Sequence, residues 1–274
     1  MARLNSLAVI GGGVMGEAII KRLVGAGLVE ARLVRVAEVV PSRREFLQAA
    51  YGVSAVAEPA AAAAGSETLV VAVKPQNLAE ALSDLKGRLT ADQLLLSIVA
   101  GATVSAISLG AAHEAVVRVM PNTPAQIGQG MSVWTAAPAV TEAQKANAKA
   151  VLGALGREIY VSAEHYLDMA TAVSGSGPAY VFLVLEALTD AGVHIGLPRD
   201  MAALLALQTL QGSALYAAET GGHPAHLRNL VTSPGGTTAA ALLELETGAL
   251  RAVFTKAVAA AYHRAQELGR AESH

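Results

Sequence analysis

Short apolar runs alternate with segments of helical periodicity through the first part of the chain. Runs of about four to six apolar or β-branched residues, bounded by turn residues, are typical of strands buried on both faces of a parallel sheet. The strands that we predict are residues 7–10, 32–37, 53–56, 68–73, 94–98, 115–119, 130–135 and 157–161. Helices predicted between them, such as residues 41–51, give the strand-helix-strand order of an α/β fold.

The pattern changes after residue 163, where the apolar positions follow helical spacing and no further strand is predicted. The predicted helices are residues 178–191, 199–220, 237–246 and 250–268. Parts of these helices are apolar almost all round, and such helices need cover from other protein surface. We therefore expect an all-helical domain over residues 163–274 that associates as a homodimer or larger oligomer; a compact monomeric bundle is the alternative.

The glycine-rich segment after the first strand indicates a function. Gly11, Gly13 and Gly16 have the G-x-G-x-x-G spacing between a strand and a helix. In dinucleotide-binding folds the first glycine makes the turn, the second lets a pyrophosphate approach, and the third lets helix and strand pack closely. Glu38 closes the next apolar run about 20 residues on, where an acid binds ribose hydroxyls. Residues 1–162 are therefore predicted to form a Rossmann-type dinucleotide-binding domain; an ordinary glycine-rich turn is the alternative.

Three further loops follow predicted strands, and open α/β sheets bind ligands at the carboxyl ends of their strands. The first loop contains Val73, Lys74 and Pro75. The second loop, residues 99–101, consists of small residues at the exit of the predicted strand. A flat ring can therefore lie against its backbone. The third, residues 120–125, has two prolines around a polar pair, and this stiffness favours a pocket over a plain connection.

Two clusters of glycine, serine and proline, residues 174–180 and 231–238, interrupt the helical half. Each is predicted to place free N–H groups and hydroxyls at a helix start, an environment that binds a small carboxylate. Capping alone would need a single polar side chain. His223 and His226 do not indicate a metal site, because Pro224 lies between them and no carboxylate follows at helical spacing.

The composition argues against several classes of partner. The chain has 20 basic and 22 acidic residues with no run of either sign, which argues against nucleic acid and anionic membranes. It has no cysteine, so it forms no disulfide or thiolate site, and this suits a reducing cytoplasm. The first strand begins too early for a signal peptide, and no stretch of about eighteen residues is unbroken in its apolar character. We expect a cytoplasmic protein.

These motifs together resemble those of the pyrroline-5-carboxylate reductases, the enzymes of the last step of proline synthesis. The matching segments are IGGGVMG at 10–16, AVKP at 72–75, the strand exit at 99–101, RVMPNTPA at 118–125, SGSGPAY at 174–180 and VTSPGGTT at 231–238. Their order and spacing fit over nearly the whole chain. The resemblance implies NADPH or NADH as cofactor, and a helical domain that dimerises, often within a ring of dimers.

The loops and the resemblance together give the expected site residues. Those expected to bind the cofactor are Ile10, Gly11, Gly12, Gly13, Val14, Met15, Gly16, Glu38, Arg43, Ala72, Val73, Lys74, Pro75, Ile98, Val99, Ala100 and Asn122. Those expected to bind the substrate are Ser176, Ser233, Gly235, Gly236, Thr237 and Thr238. The resemblance implies hydride transfer to the C=N bond of a five-membered ring whose carboxylate is held near Gly236. Thr238 is the expected catalytic residue, as hydrogen-bond partner of the imine nitrogen, either donating or only orienting.

The cofactor preference stays open on the sequence. Glu38 favours a free ribose hydroxyl and would repel a 2′-phosphate, whereas the family mostly prefers NADPH. Ser42, Arg43 and Arg44 follow closely and could offset that repulsion. Near position 59, where many members carry an asparagine for the adenosine ribose, this chain has Glu58-Pro59.

Two other functions compete with this interpretation. The β-hydroxyacid dehydrogenases share the glycine-rich start and a helical second domain, but they need a catalytic lysine where this chain has Pro-Ala-Tyr-Val after Gly177. A non-catalytic, dinucleotide-sensing dimer would use its second domain only for association. Association alone would not require the whole SPGGTT cluster.

Overall fold

A computed structural model describes residues 3–271, and its central element is a sheet with helices on its faces. The strands are β1 (Leu7–Ile10), β2 (Val34–Ala37), β3 (Ser54–Val56), β4 (Thr68–Val71), β5 (Leu94–Ser97), β6 (Val116–Met120), β7 (Gly130–Ala136) and β8 (Gly156–Tyr160). Their order is β3-β2-β1-β4-β5-β6-β7-β8. Neighbours are parallel except β6 and β7, which pair antiparallel.

The first six strands have the order of a doubly wound Rossmann fold, 3-2-1-4-5-6. Strands β1, β4 and β5 are buried along their whole length, as expected for apolar runs covered on both faces. In the sheet register Ile10 pairs with Ala37 on one side and with Val71 on the other. The loop after β1 therefore lies between the ends of β2 and β4. The predicted α/β class of this part is confirmed.

Helices connect the strands and then make up the rest of the chain. They are α1 (Val14–Gly25), α2 (Pro41–Tyr51), α3 (Pro59–Ala63), α4 (Leu78–Leu85), α5 (Val104–Ala111), α6 (Glu142–Leu155), α7 (His165–Ala170), α8 (Gly177–His194), α9 (Arg199–Thr220), α10 (Pro224–Leu230), α11 (Thr237–Thr247) and α12 (Leu250–Ala271). Proline opens α2, and Thr141 caps α6 with the reciprocal bonds of a capping box to Gln144. Beyond β8 the described residues contain no strand, as predicted.

Several elements differ from the predicted ones. Strand β4 was predicted to reach residue 73 but ends at Val71, where the chain leaves the sheet beneath the glycine loop. A 3-10 turn, Ala31–Leu33, replaces the start of the predicted second strand. Helices α4, α5, α7 and α10 were not predicted. Short helices such as α10, with seven residues, carry too few periodic positions to be recognised.

The chain divides into two compact units, which are Met1–Ser176 with Ala261–His274, and Gly177–Ala260. The first contains the sheet, and the second is helical. In the second unit many large apolar side chains are exposed; Leu204, for example, is 67% exposed. The domain boundary expected between residues 162 and 163 stays a prediction.

One helical stretch among the described residues, His165–His194, is long and apolar enough to cross a membrane by length and composition alone. Only 6% of its most apolar window is buried within the chain. Glu186 and Asp190 interrupt its apolar character, which is why the sequence showed no unbroken run of this length. A single such helix is weak evidence for a membrane.

Candidate functional site

The close approach of α1 to the sheet requires glycine at two positions, one in the loop after β1 and one in the first turn of α1. Gly11 has φ +103°, and a Cβ there would lie 2.8 Å from the carbonyl oxygen of Ala72. A Cβ on Gly16 would lie 1.9 Å from the carbonyl oxygen of Gly11. Both distances are far below van der Waals contact, so any side chain would push α1 away from the sheet. These glycines bring the start of α1 against the ends of β1 and β4.

The start of α1 lies open to a ligand. Gly13 is its N-cap residue, so no side chain satisfies the first N–H groups of the helix. A Cβ on Gly13 would meet no atom within 4 Å, and Val14 is 65% exposed. Unpaired N–H groups at a helix start, with the positive end of the helix dipole, bind phosphate groups. The cradle therefore fits the pyrophosphate of a dinucleotide.

Glu38, which follows β2, is fixed against this loop. Its Oε2 accepts a hydrogen bond from the N–H of Gly12 at 3.0 Å, and its Oε1 accepts one from the N–H of Val40 at 3.0 Å. The carboxylate thus lies beside the glycine loop, where the acid of a Rossmann fold binds ribose. The structure places Glu38 where the sequence spacing predicted it.

A polar cluster that the sequence did not reveal supports the same loop. Arg43 donates from Nε to the carbonyl oxygen of Gly12 at 2.8 Å and forms an ion pair with Glu17. The hydroxyl of Tyr51 donates to the other oxygen of Glu17 at 2.6 Å. Burial and the hydrogen bond to Glu17 raise the pKa of Tyr51 to about 12. Partial burial raises the pKa of Glu17, but the hydrogen bonds from Tyr51 and Arg43 and the positive charge outweigh it, so that pKa is lowered.

The second predicted ligand site begins α11 in the helical unit. Gly235 has φ +69°, which turns the chain, and Gly236 is the N-cap residue without a capping side chain. The N–H of Gly236 bonds to the carbonyl oxygen of Ser233 at 3.1 Å, which closes the turn. Thr237 and Thr238 occupy the first turn of the helix with their backbone N–H groups toward its start. The cluster therefore offers the donors that a carboxylate needs.

Comparison with known proteins decides the family. The family described as pyrroline-5-carboxylate reductase dimerisation matches residues 164–268, and the family described as NADP oxidoreductase, coenzyme F420-dependent, matches residues 6–101. A pyrroline-5-carboxylate reductase from Synechocystis sp. is 46% identical over 264 residues, which cover 96% of this chain and 98% of the relative. The chain belongs to the pyrroline-5-carboxylate reductase family.

Solved structures of pyrroline-5-carboxylate reductases have the same fold. The one from Coxiella burnetii has a TM-score of 0.89 and 36% identity, and the match covers 96% of this chain and 98% of that chain. The one from Plasmodium falciparum, solved with NADP bound, has a TM-score of 0.88 and 29% identity, with 98% and 100% covered. The resemblance found in the sequence is confirmed, as is the two-part fold class.

Within this family fold, the other loops predicted to bind cofactor lie at strand ends. The N–H of Ala72 bonds to the carbonyl oxygen of Ile10 at 2.8 Å, so residues 72–75 border the glycine loop, and Lys74 there is exposed. In the loop after β5 the side chain of Val99 is buried in the core and Ala100 is exposed. The contacts of these residues with a cofactor stay predictions.

Asn122 has structural bonds that its position in the sequence did not suggest. Its Oδ1 accepts from the N–H of Met131 at 2.8 Å, and its Nδ2 donates to the hydroxyl of Ser174 at 3.2 Å. The side chain thus ties the proline loop to β7 and to the segment before α8. Its predicted role toward the cofactor stays a prediction.

At the first glycine and serine cluster, the segment before α8 is a helical turn rather than the open turn that we expected. Thr171–Gly175 forms a π-helical turn, and the N–H of Ser176 bonds to the carbonyl oxygen of Thr171 at 2.8 Å. Gly175 packs closely there, since a Cβ on it would lie 2.5 Å from Cε of Met120. Gly175 therefore serves close packing against β6. The role of Ser176 toward the substrate stays a prediction.

A buried ion-pair network was also missed. Arg118 in β6 has a side chain only 6% exposed, and it donates to Glu164 at 2.8 Å and to Asp168 at 2.9 Å. Glu164 Oε1 also accepts from the N–H of Val104 at 2.8 Å. The network fixes α7 against the sheet. One indication of this network is present in the sequence, which is that Arg118 lies within an otherwise apolar strand. A buried charge of this kind needs a partner.

Proposed function

We propose that this chain reduces the C=N bond of 1-pyrroline-5-carboxylate with NADPH or NADH to give L-proline, the last step of proline biosynthesis. The observation that carries the proposal is the uncapped, glycine-built start of α1 with Glu38 beside it, in a chain that matches reductases of this name over nearly its full length. The SPGGTT cluster at α11 supplies the second requirement, a site for a small carboxylate.

In this proposal the residues of the first unit hold and orient the dinucleotide. The N–H groups at the start of α1 bind its pyrophosphate, and Glu38 binds a ribose hydroxyl. When bound, the dinucleotide supplies the hydride. The backbone of residues 72–75 and 98–100 borders the space for its nicotinamide half.

The residues of the second unit hold the substrate. Backbone N–H groups of Gly236, Thr237 and Thr238 bind the ring carboxylate, and Gly235 and Ser233 shape the turn that presents them. The hydroxyl of Thr238 bonds to the imine nitrogen and orients it, with the proton arriving from water. Catalysis is largely positioning, since the hydride donor and acceptor atoms must come within about 3 to 3.5 Å.

The same proposal includes association and location. Exposed apolar side chains on the helices of residues 177–260 pack against a second copy, and such dimers assemble into a ring. A partner subunit rather than a membrane covers the apolar face of α8. We expect the enzyme in the cytoplasm, with no nucleic-acid or membrane partner.

The test is the decrease of absorbance at 340 nm when the purified chain, NAD(P)H and the cyclic imine carboxylate are mixed. Thr238→Ala should lower kcat at least tenfold with little change in cofactor Kd, whereas Thr247→Ala, at the other end of α11, should retain activity. A chain that binds NAD(P)H without oxidising it would be a sensor, and the proposal would fail. Equal turnover in Thr238→Ala would remove only the role of Thr238.

A further inference from the structure

The surroundings of Glu38 carry a more specific inference, which rests on the proposed use of a nicotinamide dinucleotide. NADH and NADPH differ by one phosphate on the 2′ oxygen of the adenosine ribose. In Rossmann-type domains that oxygen lies near the acidic residue that follows β2. We propose that this chain binds NADH in preference to NADPH, because Glu38 is fixed beside the glycine loop and the nearby arginines are already engaged.

The carboxylate of Glu38 cannot easily turn away from a ligand. One oxygen bonds to the N–H of Gly12 and the other to the N–H of Val40, each at 3.0 Å. Rotation would leave the N–H of Gly12, a buried residue, without an acceptor. An ionised carboxylate has about four acceptor positions, so two bonds leave room for a ribose hydroxyl to donate. A 2′-phosphate brings negative charge and acceptors instead, and Glu38 can only repel it.

The charge of Arg43 is already paired within the protein, which weakens its ability to compensate that repulsion. Its guanidinium bonds to the carbonyl oxygen of Gly12 and pairs with Glu17, which also accepts from Tyr51. The ring of Phe46 lies 4.9 Å from its guanidinium carbon. If Arg43 moved to a phosphate, Glu17 would lose its ion pair in a site where its side chain is only 25% exposed. The positive charge of Arg43 is therefore balanced by Glu17, within the cluster that supports the glycine loop.

Arg44 is the cation that a 2′-phosphate would have to use. Its Nη1 donates to the carbonyl oxygens of Glu38 at 2.7 Å and of Val39 at 3.0 Å, and among the described residues no carboxylate pairs with it. Between Glu38 and Arg43 the chain supplies a single side-chain donor, the hydroxyl of Ser42. The charges of Arg43 and Arg44 are thus balanced by those of Glu17 and Glu38, which gives the position no net positive charge for a phosphate.

Direct binding tests the inference, with the full chain titrated separately with NADH and NADPH and followed by calorimetry. We expect Kd for NADPH to be at least tenfold higher than Kd for NADH. Glu38→Gln keeps one acceptor oxygen for Gly12, gives up the bond from the N–H of Val40, and removes the charge. It should reduce the ratio to about threefold or less, mainly by tightening NADPH. Glu45→Gln, an exposed position on α2, is the matched control and should leave the ratio unchanged. Equal or tighter binding of NADPH by the unaltered chain, or an unchanged ratio in Glu38→Gln, would overturn the inference.

The salt dependence gives an independent measurement that needs no variant. Raising the ionic strength from about 0.01 M to about 1 M shortens the Debye length from about 30 Å to about 3 Å. If repulsion by Glu38 sets the preference, the NADPH to NADH Kd ratio falls as salt rises; if attraction by an arginine dominates, the ratio rises, and the inference is wrong. When both dinucleotides bind but the imine is not reduced, only the proposed function fails. When neither binds, both proposals fail.

Discussion

Replacing Gly13 by alanine separates the ligand-binding role of the glycine loop from its structural role. The backbone of Gly13 has φ −69°, which alanine adopts without strain, and the added Cβ would meet no atom of the protein within 4 Å. At an N-cap, alanine is worse than glycine by about 0.5 to 1 kcal/mol, while the lower entropy of its unfolded state stabilises by about 0.4 to 1 kcal/mol. The two effects nearly cancel, so the free energy of unfolding should change by less than about 1 kcal/mol.

The methyl group should nevertheless impair cofactor binding, because it enters the space through which a pyrophosphate reaches the start of α1. A hydrogen bond to a charged group contributes about 1.5 to 3 kcal/mol. Loss of about 2 to 3 kcal/mol, roughly one such bond, raises the Kd for NADH by about 30- to 150-fold. Nicotinamide fluorescence measures the Kd, and thermal unfolding of the apo chain measures stability.

A glycine at the other end of the same helix provides the control. Gly25 also has no atom within 4 Å of an added Cβ and ends α1 away from the loop. Gly25→Ala should bind NADH like the unaltered chain. If Gly13→Ala binds NADH within threefold of the Gly25→Ala value, the pyrophosphate does not approach Gly13 and the assignment of this loop is wrong. A large loss of stability in Gly13→Ala would also refute the reasoning.

Three further predictions test other parts of the structure. Arg118→Met leaves Glu164 and Asp168 without their buried partner. It should lower the free energy of unfolding by about 2 to 3 kcal/mol, less than for fully buried pairs because both carboxylates are partly exposed. Urea titrations at fixed protein concentration measure this loss, and a loss under about 1 kcal/mol would contradict the prediction. Folding raises the pKa of Tyr51 from about 10 to about 12, so the protonated hydroxyl stabilises the folded chain. This stabilisation is complete below pH 10 and is lost between pH 10 and 12. Tyr51→Phe should therefore show a smaller loss of thermal stability across that range than the unaltered chain, and parallel curves would count against the Tyr51–Glu17 bond. Leu204→Glu, on an exposed apolar face of α9, should shift the chain to a smaller species in light scattering, whereas Leu109→Glu, 75% exposed on α5, should not.

The parts of the fold that depend on local chemistry could be predicted from the sequence. The helix Pro41–Tyr51 agrees at both ends, because proline favours its first turn and Gly52 adopts φ 68° after its last. The spacing of Gly11 and Gly16 predicted close backbone approaches that the structure contains. Each of these features is decided by residues a few positions apart, so the sequence is sufficient evidence for them.

The parts that depend on distant residues could not be predicted. Arg43 meets Glu17 across 26 positions, and Arg118 meets Asp168 across 50. Sequence spacing gives no reason to choose these partners among the other charged residues, and the pairs form only because β2 and β6 lie where the sheet order puts them. This is why the sequence suggested Arg43 as a possible partner of a 2′-phosphate but did not reveal its ion pair with Glu17.

The two glycine and serine clusters show how the same composition leads to different structures. Both contain serine, glycine and proline before a predicted helix, and composition alone gave both the same interpretation. At Gly236 the preceding residue has φ +69°, so the chain turns sharply and the first N–H groups of α11 have no helix before them. At Ser176 the chain has αR geometry, with φ −82° and ψ −20°, and its N–H is already bonded one π turn back. The backbone conformation before the helix, rather than the number of glycines, therefore distinguishes these two clusters. It leaves the SPGGTT turn as the stronger candidate for binding the substrate carboxylate.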